Sequence, residues 1–338
     1  MKKIPKLRWV KKPRSVSIVG TGSYVPRRVL TNAELERMVD TSDEWIVTRT
    51  GIRERRIAAE GEATSHLAAE AARRAMEQAQ VSAEEIDLII VATVTPDTAF
   101  PATACWVQKH IGAIKAACFD ISAACSGFLY GIEIAQQFIA NHTYETVLVI
   151  GADKLSSIVN WQDRNTCVLF GDGAGAAILR YRAGSHGILS THMGSDGRFA
   201  NLLITPAGGS AIPLTRDNID QKLHCLHMQG RETFKQAVVS MTTAAQIALE
   251  KAGLDTEDLA CIIPHQANLR IIEALAERLG LPMDKVVVNL DRYGNTSAAA
   301  VAIALDEAHR YGRFKTGDYI LLVVFGGGLT WASSVIQW

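Results

Sequence analysis

Three residues in this sequence have the type and the setting for chemistry: Cys125 in FDISAACSGFLYG, His265 in CIIPHQANLR and Asn295 in LDRYGNTSAAA. Each follows a buried, apolar run and opens onto a tight turn. A cysteine at a strand-to-helix elbow faces unpaired backbone N–H groups and the positive end of the helix dipole, and both favour a thiolate. The small neighbours Ala123, Ala124, Ser126 and Gly127 leave room for a substrate carbonyl. That setting argues for a nucleophile, although a free cysteine is more often an inert core residue. Cys105, Cys118, Cys167, Cys225 and Cys261 lack the setting and read as core or incidental residues.

His265 directly follows a strand closed by Pro264 and precedes a helix beginning near Asn268. Taken alone it fits a structural role as well as a functional one. The other histidines, His227 among them, have no comparable place. Asn295 follows Gly294, and Gly-Asn-Thr-Ser is also a good turn-and-cap sequence. As the counterpart of the Cys125 turn, it reads as an active-site residue. Near the C-terminus, three glycines follow the strand YILLVVF. No Lys-Ser/Thr follows them, so they do not form a phosphate loop, and they read instead as backbone bared to a substrate atom. The stretch GDGAGAAIL (171–179) reads as close backbone packing before a strand.

The elements that must hold these residues come from an internal duplication. AMEQAQVSAEEIDLIIV (75–91) and ALEKAGLDTEDLACIIP (248–264) align without gaps, with six of seventeen positions identical. In both copies the end of a helix and an acidic turn lead into a buried strand. A loop, a helix ending at Gly112 or Gly280, and a second strand (AACFDIS or KVVVNLD) come next. A small-residue helix near Cys125 or Asn295 and a third strand (TVLVIGA or YILLVVF) complete each copy. Strand-helix-strand-helix-strand, twice over, predicts parallel sheets covered by helices and two similar halves packed about a pseudo-twofold. The expected halves are 15–185, with an insertion around 154–200, and 186–338, without a linker. In such folds ligands sit at the carboxyl ends of the strands, where Cys125, His265 and Asn295 fall.

Composition narrows the function class. Lys+Arg and Asp+Glu both number 35, a balance that argues against nucleic-acid or membrane electrostatics as the main business. With 48% hydrophobic residues the chain has enough apolar content for a sizeable core. The six cysteines form no C-x-x-C pair, so neither a zinc site nor a redox motif is expected, and reduced thiols fit a cytoplasmic enzyme. MKKIPKLRWVKKPR (1–14) carries seven basic residues and no acid, and reads as a solvated arm rather than a secretory signal. No apolar run has the length of a membrane span.

The motifs GTGSYVP, TSDEWIVTRTGI, DISAACSG, LFGDGAGAAIL, PHQANLRI, YGNTSAAA and GGGLTWAS, in this order, resemble the thiolase-like condensing enzymes. Among these the β-ketoacyl-acyl-carrier-protein synthase III family is the nearest, from about Ser15 to the C-terminus. The resemblance implies a thiolase-like α/β fold, two pseudo-symmetric halves layered α/β/α/β/α. It implies that an acyl-CoA primer acylates Cys125, and that decarboxylative condensation with malonyl-acyl-carrier-protein follows. His265 and Asn295 would hold the malonyl thioester carbonyl, and the N–H groups of Cys125 and Gly327 would form the oxyanion hole. Trp45 and Arg164 would bracket the adenine of CoA, Arg49 would meet its charged part, and Gly230 and Asn268 would line the pantetheine tunnel. Phe234 and Phe325 would wall the reaction centre. Phe100 would reach across a homodimer interface to cap the acyl pocket. Lys235, Arg270 and Arg278 would meet an acidic carrier protein. Acyl-CoA is a substrate here, and no resident cofactor or metal is implied.

The chemistry is coherent without the family. Losing CO2 from a malonyl thioester leaves an enolate, which neutral donors stabilise and a carboxylate would repel. The division of labour expected is a Cys125 thiolate held mainly by the helix N-terminus, with His265 secondary. Open alternatives are a sister enzyme of secondary metabolism or signalling on the same scaffold, and a non-catalytic acyl-CoA-binding protein. Primer length and branching stay open too, since Phe100, Val94 and Leu155 would set the pocket width.

Overall fold

A computed structural model describes residues 15–184 and 186–338, and the basic arm expected over 1–14 lies outside them. Nine strands build two sheets. The first holds β1 (Val16–Tyr24), β2 (Leu88–Ala92), β3 (Ala117–Ile121), β4 (Thr146–Lys154) and β5 (Asp172–Tyr181), in the order β1-β5-β4-β2-β3. The second holds β6 (Gly187–Ser195), β7 (Leu259–Pro264), β8 (Tyr319–Gly326) and β9 (Thr330–Gln337), in the order β7-β8-β9-β6. Runs such as LIIVA and YILLVVFG are apolar at nearly every position because both faces of each sheet are covered.

Helices α1 (Asp43–Thr50), α2 (Thr64–Ala79), α3 (Thr103–Ile111), α4 (Gly127–Ala140), α5 (Gly230–Ala252), α6 (Leu269–Leu279) and α7 (Ala299–Arg310) supply most of that cover. Three apolar clusters define five layers, α/β/α/β/α. Side chains of α2 and α3 pack on one face of the first sheet. Those of α5 and α6 pack on one face of the second. Between the sheets lie α4 and α7, in a core shared by Phe128, Ile132, Val301 and Leu305 with strand residues of both sheets. From Ala299 through Asp306 every residue of α7 is buried.

Three sequence expectations are corrected. The sheets are mixed rather than parallel: β2 is parallel to β3 and β4, and β7 to β8, whereas β5, β9, β1 and β6 pair antiparallel. KVVVNLD forms no strand. It makes one bridge, Val286 to Ile262, and the Gln266 side chain then takes the place of a ladder, donating to Val287 O at 3.0 Å and accepting from Asn289 N at 2.9 Å. GDGAGAAIL does not precede a strand but is mostly β5 itself. Its glycines do serve close packing, since a Cβ on Gly175 would lie 2.5 Å from Ala302 Cβ.

The first sheet meets α7 and the turn before it through glycine. A Cβ on Gly151 of β4 would lie 2.3 Å from the Ala298 carbonyl oxygen, a backbone atom with no rotamer to yield. Gly151→Ala is therefore expected to lower unfolding stability by about 1–3 kcal/mol, the range for overpacking a core. Gly197→Ala, where a Cβ would meet nothing within 4 Å, is expected to stay within about 0.5 kcal/mol. Denaturant midpoints of the two variants check this, and equal midpoints would show that the contact relaxes.

Candidate active site

Cys125 sits in the turn between β3 and α4. Residues Ala124–Ser126 form a short 3-10 turn, entered through Ala124 at φ 46°, and the α-helix begins at Gly127. Gly127 must be small, because a Cβ there would lie 2.8 Å from Ala92 Cβ. The glycine turn after β8 presses on this elbow from the other half. A Cβ on Gly326 would lie 2.6 Å from the Cys125 backbone nitrogen, and the Thr330 hydroxyl donates to Ala123 O at 2.9 Å.

His265 follows β7, and its N–H donates to Val323 O at 2.8 Å. The next residue, Gln266, clamps this corner by also donating to Pro264 O at 2.8 Å. The His265 ring is buried, with no partner on Nδ1, and burial pushes its pKa down to about 4. The imidazole is therefore neutral near pH 7.

Asn295 is held by its backbone against the segment before β5: its N–H donates to Leu169 O at 2.8 Å and its carbonyl accepts from Gly171 N at 3.1 Å. Its side-chain Oδ1 accepts the Ser297 N–H at 2.9 Å, which leaves the Nδ2 amide hydrogens as the available donors. This local turn, with Ser297 at φ 52°, holds off the start of α7 until Ala299. Beneath it lies Arg55, fully buried, donating to Val168 O at 2.7 Å, Asn32 Oδ1 at 2.9 Å and Leu30 O at 3.1 Å.

The three residues come together on one cavity of about 910 Å³. Of the other candidates, Trp45, Arg49, Gly230, Asn268, Phe234, Phe325 and Arg270 line it too. A smaller cavity of about 380 Å³ adjoins it, lined by Val94, Leu155, Ile158, Leu226 and Gly327, and Cys125 lines both. The thiol thus stands between a long apolar-walled cleft and a short apolar pocket.

Several side chains differ from their expected surroundings. The Arg49 and Arg164 guanidinium carbons already lie 4.5 Å and 5.3 Å from the Trp45 ring centre, and Arg164 is tied to Asp40 by contacts of 2.8 and 3.2 Å. An adenine between Trp45 and Arg164 would have to part them. Asn268 caps α6, accepting from Arg270 N at 2.9 Å, and donates to Arg49 O at 3.0 Å, so its amide is already engaged. Phe100 lines neither cavity and is 85% exposed. Exposed Lys235 lies 3.8 Å from Glu232, and exposed Arg278 ends α6 away from the cavity. His227, discounted from sequence, lines the larger cavity with Leu203 and Met228, all from the segment between β6 and α5.

The expected thiolate is corrected. Burial pushes the Cys125 thiol up to about 12, outweighing the Ser297 hydroxyl and its own backbone N–H, which favour the anion. Taking a thiolate out of water costs more than the helix N-terminus returns. Burial thus favours the neutral thiol and the neutral imidazole alike.

Comparison with known proteins identifies this architecture. Residues 119–197 match the family described as 3-oxoacyl-[acyl-carrier-protein (ACP)] synthase III, and residues 249–338 match its C-terminal part. A β-ketoacyl-[acyl-carrier-protein] synthase III from Caldanaerobacter subterraneus subsp. tengcongensis is 59% identical over 324 residues, covering 96% of this chain and 98% of that one. The crystal structure of 3-oxoacyl-[acyl-carrier-protein] synthase III from Aquifex aeolicus is 50% identical, with a TM-score of 0.89, covering 96% of this chain and 100% of that one. The priming β-ketosynthase of the R1128 polyketide pathway is 38% identical, with a TM-score of 0.90 and 98% of each chain covered. The chain belongs to the 3-oxoacyl-[acyl-carrier-protein] synthase III family.

Proposed function

We propose that the protein catalyses the initiating condensation of fatty acid synthesis: acyl-CoA acylates Cys125, and malonyl-acyl-carrier-protein then condenses with the bound acyl group, releasing CO2 and 3-oxoacyl-acyl-carrier-protein. The observation that carries this is Cys125 standing at the junction of two cavities, with His265 and Asn295 on the wall of the larger. The larger cavity suits a pantetheine arm, and the smaller one an acyl chain. Neutral His265 and the Asn295 amide supply donors without a charge that would oppose the enolate. Gly327 and the Cys125 N–H serve the tetrahedral oxyanion of acyl transfer. Trp45, Arg49 and Arg164 take the CoA nucleotide once the stack on Trp45 opens. We read the enzyme as cytoplasmic, with no resident cofactor. Likeness to a polyketide priming ketosynthase favours one second reading, the same chemistry serving a secondary pathway.

Intact-protein mass spectrometry after exposure to mixed acyl-CoAs tests the reading, since the mass added to Cys125 names the primer. No adduct on Cys125 would overturn it. His265→Ala and Asn295→Ala should still accept label from acyl-CoA but lose about 10²–10³ in CO2 release from malonyl-acyl-carrier-protein. Cys125→Ser should show the converse, losing acylation and keeping slow decarboxylation. If His265→Ala abolishes acylation as fully as Cys125→Ser, the histidine is the thiol's obligatory base and the division of roles is wrong.

Arg270, exposed at the cavity mouth over Phe234 at 5.9 Å, is read with Lys235 and Arg278 as the carrier-protein docking face. Arg270→Glu should raise KM for malonyl-acyl-carrier-protein and spare acylation by CoA thioesters, and added salt should mimic it. An equal fall in both half-reactions would make the patch structural.

The 85% exposure of Phe100 supports a homodimer in which each copy's Phe100 caps its twin's acyl pocket. Light scattering should give twice the chain mass at assay concentration, and an active monomer there would sink the idea.

A further inference from the structure

His265 and Ala267 line the larger cavity, but Gln266 between them lines neither cavity and is buried. Its side chain turns away from the substrate space, toward the segment that leads to Asn295. Nε2 donates to Pro264 O at 2.8 Å and to Val287 O at 3.0 Å, and Oε1 accepts from Asn289 N at 2.9 Å. Both amide hydrogens and the acceptor are therefore spent on backbone groups. One of these belongs to the strand end that carries His265, and two to the segment that runs on to Asn295. Val287 N also donates to Ile262 O at 2.9 Å, so Gln266 extends this contact toward the cavity.

The chain from Asn289 to Asn295 has little slack. A short helix, Leu290–Tyr293, follows Asn289, and Glu307 of α7 gathers four hydrogen bonds around it. Its carboxylate accepts from Asn289 Nδ2 at 2.9 Å, from Arg292 at 3.0 and 2.9 Å, and from the Tyr293 hydroxyl at 2.5 Å. Gly294 N then donates to Leu290 O at 2.8 Å. A Cβ on Gly294 would lie 2.7 Å from Leu169 O, the carbonyl that also accepts the Asn295 N–H. A displacement at Asn289 N is thus handed on to Asn295 rather than absorbed. Glutamine suits this place by length and by donor count. Asparagine is one methylene short, and a glutamate would set its carboxyl against two carbonyl oxygens with at most one proton to offer.

We propose that Gln266 is a positioning residue that fixes the spacing between the His265 imidazole and the Asn295 amide, so that both donors converge on one enolate oxygen. This rests on the proposed condensation. Donors of this kind work within about 2.7–3.1 Å of the developing oxyanion. Two of them on one oxygen must be placed relative to each other, because a substrate shift that favours one spoils the other. Misplacement by about 1 Å can cost about 10²-fold in rate. Gln266 makes no printed contact with the nucleophile's turn, which is built from Ala124–Ser126 and pressed by Gly326. Its influence therefore falls on decarboxylation and not on acyl transfer to Cys125.

The test uses the full chain as wild type, Gln266→Met and Gln266→Asn. Methionine keeps the length and loses the hydrogen bonds, while asparagine keeps the amide and loses the reach. In both, kcat for CO2 release from malonyl-acyl-carrier-protein should fall about 10–100-fold, with KM changed by less than about twofold. Single-turnover transfer of labelled acetyl from CoA to Cys125, measured on the same preparations, should stay within about threefold of wild type, which also reports an intact fold. Added to Asn295→Ala, Gln266→Met should cost at most about threefold more, because a lone donor needs no partner to be aligned with. CO2 release within twofold of wild type, both half-reactions falling in equal proportion, or full multiplication of the two substitutions would each overturn the inference. A wild-type chain that releases no CO2 from malonyl-acyl-carrier-protein would instead overturn the proposed condensation, and this inference with it.

Discussion

Two helices, α4 and α7, share one dry layer between two sheets, and their N-termini must arrive at the same point. That constraint governs the rest of the structure. Close approach is allowed by missing side chains: Gly127 against Ala92, Gly151 against Ala298 and Gly326 against the Cys125 nitrogen. Once the helices are that close, the backbone groups at their ends have little water to meet. Protein groups take over, with Asp153 accepting from Ala298 N, Asn295 accepting from Ser297 N, and Thr330 donating to Ala123 O. The same hydrogen bonds that satisfy the buried chain ends orient the side chains the reaction uses.

Burial then acts with opposite value on the two titratable partners. It keeps His265 neutral, which suits a donor facing an oxyanion, and it keeps Cys125 protonated, which does not suit a nucleophile. A helix dipole of about half a charge at its N-terminus does not cancel full desolvation of a thiolate.

Much of the catalytic geometry was legible in the sequence because it follows from strand endings. Runs such as LACIIP and YILLVVF announce buried strands, and whatever follows them falls on one edge of the fold. That rule found Cys125 and His265, and the internal duplication then added Asn295 as the counterpart of the Cys125 turn. Other features depend on partners distant in sequence. KVVVNLD looks like a strand, and only the folded position of Gln266 shows that a side chain has taken over its pairing. The antiparallel direction of β5 and β9 was not legible, because an apolar run carries no direction. The part played by Leu203, His227 and Met228 in closing the cavity was hidden in a polar, irregular stretch without period. The pKa of Cys125 was misjudged because a sequence displays a helix start but not the depth at which it lies.

Charge is distributed to match these depths. Asp153 lines neither cavity and is fully buried among neutral donors, Ala298 N among them, while Arg49, Arg231 and Arg270 are exposed where the larger cavity opens. Between them the walls carry Phe234, Phe325, Met241 and the uncharged His265. A ligand with phosphates at one end and a thioester at the other has one favourable orientation in such a gradient. Its anionic end stays with the solvated cations, and its uncharged end enters the region where further negative charge is costly. A carboxylate carried inward on the second substrate meets that cost directly. Losing CO2 removes the carboxylate and leaves charge on a thioester oxygen, where His265 and Asn295 can donate. On the proposed chemistry, the low polarity of the cavity therefore favours decarboxylation through the ground state, and the two neutral donors favour it through the enolate.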